Sequence, residues 1–368
     1  MKKHSQIVFL AVFLCAMLLN LKCKNESTKP PDEIIKNPRE YVWTVDTLAY
    51  PGSMQTNMLD IWASSPSDVY VVGHNERGFG KMYHSDGIRW ADVKLSTAQG
   101  GAIQGAIDLS GIFGFNTNDI YAVGEHLYSN PFPPPNLLST SLVIHFDGTT
   151  WNEISPSDSN LIETVWGNNG AIWCGGFKGI IYNYSSGVWN RDSLKIMRGP
   201  QWFSAINSLS GLKSGKMYAL ANAQQNGSFD QTFYFLTRET GNWSVVDTFV
   251  YGSASPVDKW GINKIWVSPT NRVFSLGPDL YEWNGAAWQT IKHPDNSFLQ
   301  AIYATGDNNI FVGGTYGTLI HYNGTDWYSY DQFKTMDVHF KGIWANEKEV
   351  FAIGYTTGGN KTLVFHGR

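Results

Sequence analysis

Four stretches of this sequence write one pattern: KMYHSDGIRW at 81–90, SLVIHFDGTTW at 141–151, DLYEWNGAAW at 279–288 and TLIHYNGTDW at 318–327. In each, an apolar run enters an Asp-Gly or Asn-Gly turn and a tryptophan follows. Such self-similarity constrains a fold strongly, because one copy cannot bury its apolar face alone and must stack on its neighbours. Aligned on the tryptophan, the copies fall at Trp43, Trp90, Trp151, Trp189, Trp243, Trp288 and Trp327. A second apolar run recurs as VYVVG (69–73), IYAVG (120–124), IWCGG (172–176), MYALA (217–221), VFSLG (273–277), IFVGG (310–314) and VFAIG (350–354). Ahead of these lies an Ile-Trp-like pair at 61–62, 112–113, 165–166, 265–266, 302–303 and 343–344, with Leu209–Ser210 breaking the aromatic rule.

Each unit therefore reads as four short strands, a to d. The runs are β-branched and aromatic, bounded by Gly, Asn, Asp, Ser or Pro, and too short for helices. Strand b is apolar throughout, so both its faces belong inside, as in a sheet held between two others. Many aromatics and glycines with only 16% charged residues suit tight turns and dense packing.

The last unit runs through TLVFHG (362–367) without a tryptophan strand, whereas YVWTVDTL (41–48) has the tryptophan and no strands before it. The two fragments complete one sheet. We therefore expect an all-β fold: a seven-bladed β-propeller of four-stranded antiparallel blades, closed by the N-terminal strand completing the C-terminal blade. An open stack of β units would not need complementary ends, and separate domains would show a linker. The glycines after strand b (Gly175–Gly176, Gly313–Gly314) with Tyr322 and Trp327 resemble a kelch repeat, and HSDGIRW resembles the Asp-box of sialidase-like repeats. Both turns are tighter than those family patterns. The resemblance covers 41–368 and implies a propeller, a fold that hosts many unrelated functions.

The N-terminus reads as an export signal. Lys2 and Lys3 precede a thirteen-residue apolar run at 7–19, too short to span a bilayer. Cys23 follows, and its position resembles a bacterial lipoprotein lipobox, although Lys22 stands where that pattern has a small residue. The resemblance implies a signal peptide at 1–22 and a lipidated, palmitate-bearing Cys23. The polar stretch 23–40 then forms a flexible tether spanning roughly 20–25 Å, ahead of the propeller at 41–368. The expected location is the bacterial cell envelope, on the periplasmic side or the cell surface. A plain signal peptide is the alternative. Losing Lys2, Lys3 and Lys22 takes the net charge from −4 to −7. That balance, with no basic cluster, argues against a nucleic-acid partner. Cys174 lies in an apolar run and reads as an inert buried thiol.

In a four-stranded meander the d–a and b–c loops share one face. The long segments all belong there: 94–110, 125–140, 191–208, 221–231 and 247–262. Elaboration on one face marks it for binding. Its aromatic candidates for ligand binding are Trp202, Trp260, Tyr128, Phe132, Phe203, Tyr251, Tyr316 and Tyr355, with Phe229 beside them; each could instead pack a loop onto the ring. His84, His145 and His321 share one repeat position, which spreads them around a ring rather than onto one metal. No metal or cofactor is expected. No nucleophile or metalloprotease motif is present, Arg77, Arg198 and Arg272 are scattered, and Glu125 and Asp258 read as isolated acids. The leading expectation is an envelope-tethered, non-catalytic, monomeric propeller that binds a protein or glycan. The alternatives are a polysaccharide hydrolase or lyase, and a structural part of a surface assembly.

Overall fold

The computed structural model describes residues 36–129, 137–158, 160–194, 196, 202–251, 259–359 and 361–368. Seven four-stranded antiparallel sheets form the seven blades. Blade 1 consists of Thr56–Ser65, Asp68–Asn75, Met82–Ser85 and Trp90–Asp92, in hydrogen-bonded order a-b-c-d. The inner a strands of blades 2 to 7 are Ala106–Asn116, Ile162–Asn168, Trp202–Gly211, Lys264–Val267, Leu299–Gly306 and Val338–Ala345. Each inner strand touches the next, and that of blade 7 touches that of blade 1. This is the expected seven-bladed propeller.

The ring closes as the complementary fragments require. Trp43–Leu48 pairs antiparallel with Thr362–Gly367, with Val45 opposite Phe365. Val42 and Arg368 exchange backbone hydrogen bonds of 2.9 and 3.1 Å. The Trp43 ring meets Tyr330 and Phe333 of blade 6 edge-on, at centroid distances of 5.1 and 5.0 Å. Contacts to the ring begin slightly ahead of residue 41. Pro38–Glu40 forms a 3-10 turn, Arg39 pairs with Asp326 at 2.9 Å, and the Tyr330 hydroxyl donates to the Pro38 carbonyl.

The repeated turn works through two residues. Gly148 and Gly324 sit at φ of 91° and 94°, a region that a Cβ disfavours. Just before them, Asp147 and Asn323 each accept two backbone N–H groups at 2.9 Å, from Thr149 and Thr150 and from Thr325 and Asp326. The tryptophan that follows packs onto the preceding blade: Trp151, only 8% exposed, on Tyr70 of blade 1, and Trp288 on Phe235 of blade 4.

The repeated histidines are structural. His84, His145 and His366 on the c strands stack on Tyr70, Tyr121 and Phe351 of the b strands, and His321 lies tilted over Phe311. Their Nε2 atoms meet Asp68, Asp119, Glu349 and Asn309, each placed just before the aromatic run. In blade 5 Arg272 and Glu282 make the same link with exchanged charge, and the guanidinium lies over Phe274 at 4.8 Å. Along the inner strands, Trp62, Phe113 and Trp166 each lie on a glycine of the next blade, Gly114, Gly167 and Gly211. Blade 4 breaks the aromatic rule and substitutes hydroxyls: Ser208 and Ser210 accept from Ile265 and Val267 N–H of blade 5 at 3.1 and 3.0 Å.

Candidate binding site at the mouth of the ring

The site grows from one local irregularity. Six inner strands carry a β-bulge, which leaves Leu59, Ser110, Glu163, Asn207, Gln300 and Lys341 unpaired with strand b. Asn263 holds the equivalent place in blade 5, just ahead of Lys264–Val267. A bulge re-aims side chains. A glycine in strand b makes room for it: a Cβ on Gly73 would lie 2.0 Å from the Asn57 carbonyl oxygen, and one on Gly124 equally close to that of Asp108. The residue after that position supplies a second circle, with His74, Glu125 and Phe177 following the glycine in blades 1 to 3 and Asn222 following Ala221 in blade 4. Both circles lie on the face of the d–a and b–c loops.

These positions line two adjoining cavities. One, of about 310 Å³, has walls of Leu59, Leu109, Leu161, Ile162 and Phe177, with His74, Asp108, Ser110, Glu125 and Glu163 as polar lining. The other, about 370 Å³, is rich in amides, with Asn207, Asn222, Gln231 and Asn263 beside Phe233, Ile262 and Phe298. Glu163 borders both. A third hollow of about 440 Å³ shares His74 and Asp108 with the first and extends outward to Arg77 and Tyr128.

The electrostatics are unbalanced. Asp108 and Glu125 stand directly opposite each other in blade 2, an arrangement that repels. Lys81, with its side chain 3% exposed, lies 2.6 Å from Asp108 and neutralises that carboxylate alone. Among the described residues no cation pairs with Glu125 or Glu163. Glu163 is exposed, yet it sits between the walls of both cavities. Burial, and second the charge of Glu125, raise its carboxyl above the usual range. Asn222 is 7% exposed, and its Oδ1 has no hydrogen-bond partner among the described residues; Gln300 Oε1 is likewise unpartnered. The mouth thus presents acceptors and negative charge over apolar walls. No group of three or more His, Cys, Asp and Glu able to hold a metal occurs among the described residues.

The aromatic candidates separate. Trp260 is fully buried against Phe235 and Phe249, so it is a core residue and cannot stack on a ligand. Trp202 is partly buried on a hydrophobic cluster that joins blades 3 and 4. Phe203 is 43% exposed and meets the cavity-lining Phe177 edge-on at 4.9 Å. Tyr128 lines the outer hollow. Tyr316, held at φ 54° and 63% exposed, packs on His339, which in turn faces Tyr355. Tyr251 and Phe229 are exposed, and Tyr251 pairs with Gln231, which lines the second cavity. Phe132, Arg198, Asp258 and Cys23 lie outside the described residues. Several long segments prove to be extended strands rather than loops, since pairing continues through Glu125–Ser129 and through Trp202–Ala205. Glu125 is not isolated: the ring brings Asp108 and Glu163 to the same cavity. Cys174 is fully buried, and burial pushes its thiol up, as an inert thiol requires.

Comparison with models of protein families gives no match, and neither does comparison with curated proteins. The kelch-like and Asp-box-like character of the repeats therefore has no support from that side. Among solved structures the chain is similar to YCF48 bound to D1 peptide, at TM-score 0.58 and 15% identity over 90% of this chain and 97% of that one. YCF48 from Cyanidioschyzon merolae matches at TM-score 0.56 and 15% identity, over 88% and 98%. The WD40 β-propeller domain of Doa1 matches at 0.53 and 11%, over 88% and 96%. At these identities the likeness establishes the propeller fold.

Proposed function

We propose that this protein is a non-catalytic propeller that binds a partner protein across the face carrying the d–a and b–c loops. The cavity pair at the mouth of the ring carries this reading: concave, apolar-walled and lined by convergent polar groups, as binding sites are. A solved structure of similar fold, YCF48, is described as bound to a peptide, which makes a protein a more natural partner than a glycan. The lipobox-like Cys23 adds tethering at the bacterial envelope, as an exported lipoprotein acting as a monomer.

Affinity capture from envelope extracts tests the reading. A Tyr128→Ala/Phe203→Ala/Tyr316→Ala variant should lose a partner that the native protein retains. Ile88, 91% exposed on a c–d turn of the opposite face, is the control, and its Ala variant should keep that partner. Equal capture by all three would overturn the face assignment. Mass spectrometry should find a diacylglycerol on Cys23, and Cys23→Ala should release the protein from membranes.

One observation favours a second reading. Three carboxyls, Asp108, Glu125 and Glu163, share one cavity and that of Glu163 is raised, and a pair of carboxyls in different states is what glycoside hydrolysis uses. Polysaccharide turnover abolished by Glu163→Gln would establish a hydrolase or lyase instead.

A further inference from the structure

We propose that the cavity bordered by Glu125 and Glu163 receives the cationic head of an arginine or lysine side chain presented by the partner protein. This rests on the protein-binding reading above and names the chemistry at its centre. Three independent observations lead to it.

First, the charge is uncompensated. The lysines near the axis are engaged elsewhere: Lys81 with Asp108 at 2.6 Å, Lys264 near Asp60 at 3.8 Å, and Lys341 over the Tyr355 ring at 5.3 Å; His74 lines the same cavity and pairs with neither glutamate among the described residues. Glu125 and Glu163 share one cavity and neither has a cationic partner among the described residues, an unfavourable arrangement that an incoming cation relieves. Second, the shape is amphipathic. Leu59, Leu161 and Phe177 wall the approach. They suit the methylene stem of a long basic side chain, and the Phe177 ring suits a guanidinium plane. A bare metal ion or a small hydrated cation would gain nothing from them. Third, the adjoining cavity on the far side of Glu163 holds Asn222, 7% exposed and with Oδ1 unpartnered. A buried acceptor without a donor is costly. Arginine, with five donors in a planar fork, can engage a carboxylate bidentately and still offer a donor to such an amide.

The test uses the full chain and a defined probe, the peptide acetyl-Gly-Gly-Arg-Gly-Gly-amide, titrated calorimetrically at low salt. Its counterpart carries citrulline, which keeps the shape and removes the charge. The arginine peptide should saturate below about 10 mM and bind about tenfold or more tightly than the citrulline peptide, the scale of a charge-assisted bidentate contact. Glu125→Gln/Glu163→Gln should remove that preference while melting at the native temperature or above. If the double variant does not fold, Glu125→Gln alone is read in the same way. Equal binding of the two peptides overturns the proposal. So does undiminished arginine binding by the variants, or no saturation by about 10 mM. A partner captured through this face whose binding ignores both glutamates leaves the proposed function standing and removes this inference.

Discussion

Lys264 Nζ lies 3.8 Å from Asp60 Oδ1, although the two residues belong to blades 5 and 1, which are not neighbours in the ring. The pair can only meet by reaching across the axis. Asp60 has a second role, because its Oδ2 accepts the Ile112 backbone N–H of blade 2 at 3.1 Å. Ser208, at the same repeat position in blade 4, does the same for Ile265 of blade 5. The neighbours of Asp60 at this level are small, with Gly111, Ala301 and Gly342 at the equivalent positions. That leaves space for one long side chain to cross.

The two roles of Asp60 separate by mutation. Asp60→Ala strands the Ile112 N–H at a blade junction and should lower stability by about 1–3 kcal/mol. Lys264→Met removes a partly exposed pair longer than a hydrogen bond and should change stability by less than about 1 kcal/mol. Urea unfolding midpoints of the two variants check this. An equal effect would mean that the cross-axis pair, rather than the inter-blade hydrogen bond, carries the stability.

The repeated tryptophans should be costly to remove because they pack between blades. Trp151→Ala deletes a side chain 8% exposed that lies on Tyr70, Phe146 and their cluster. The expected loss is about 3–5 kcal/mol, typical of large aromatic truncations. Trp43→Ala should cost a similar amount and also release the closing strand, because Tyr330 and Phe333 hold its ring in blade 6. Hydrogen exchange should then speed up along Trp43–Leu48 before it does elsewhere. Uniform exchange across all blades would contradict the closure role.

The fold was legible in the sequence because stacked units must repeat the residues that stack. The Asp-Gly turn, the tryptophan and the apolar b strand recur for reasons local to each blade, and Val45 opposite Phe365 confirms the pairing of the termini. The site was less legible, because it depends on a bulge. Glu163 is an ordinary polar residue in the linear pattern, and only an extra residue in strand a turns it into the mouth. A usable signal did exist: the residue after the strand-b glycine, His74, Glu125 or Phe177, sits at a fixed column of the repeat. Trp260 misled because a tryptophan after a Gly- and Pro-containing stretch looks displayed, yet Phe235 and Phe249 enclose it. The histidine column was visible at His84, His145 and His321. Its fourth member, His366, and the acids and amide that hold the column needed the neighbouring strand to be seen.

Acid should weaken the fold through His321. This residue is 1% exposed, and burial first, with the Arg39 charge second, lowers it from 6.5 to about 4. Its folded value is depressed, so the unfolded chain binds the proton more readily. The stability it confers is complete above about pH 6.5 and is lost as pH falls towards about 4, amounting to about 2–3 kcal/mol by pH 4.5. Glu76 and Asp147, both lowered to about 2, act further down the scale. Unfolding midpoints between pH 7 and 4.5 should therefore fall for the native protein. His321→Gln, which keeps a donor for Asn309, should be weaker at pH 7 and flatter across this range. Parallel curves would show that another group titrates.

Glu163→Gln should have the opposite effect from a typical core change. The carboxylate is raised by burial and by Glu125, so its charge at neutral pH opposes folding. Replacing it with a neutral isostere removes that opposition and leaves the bulge geometry intact. Because the residue is exposed, solvent screening limits the gain to at most about 1 kcal/mol. The melting temperature at pH 7 should rise, and the difference from the native protein should shrink as pH falls from the raised titration range of the folded-state carboxyl down to the ordinary carboxylate range, because the folded protein takes up the proton first. This sign separates a charge kept for binding from one kept for structure, since residues retained for function are often those whose removal stabilises. A lower melting temperature for Glu163→Gln would instead make the carboxylate a structural acceptor, and the cavity would lose its uncompensated charge.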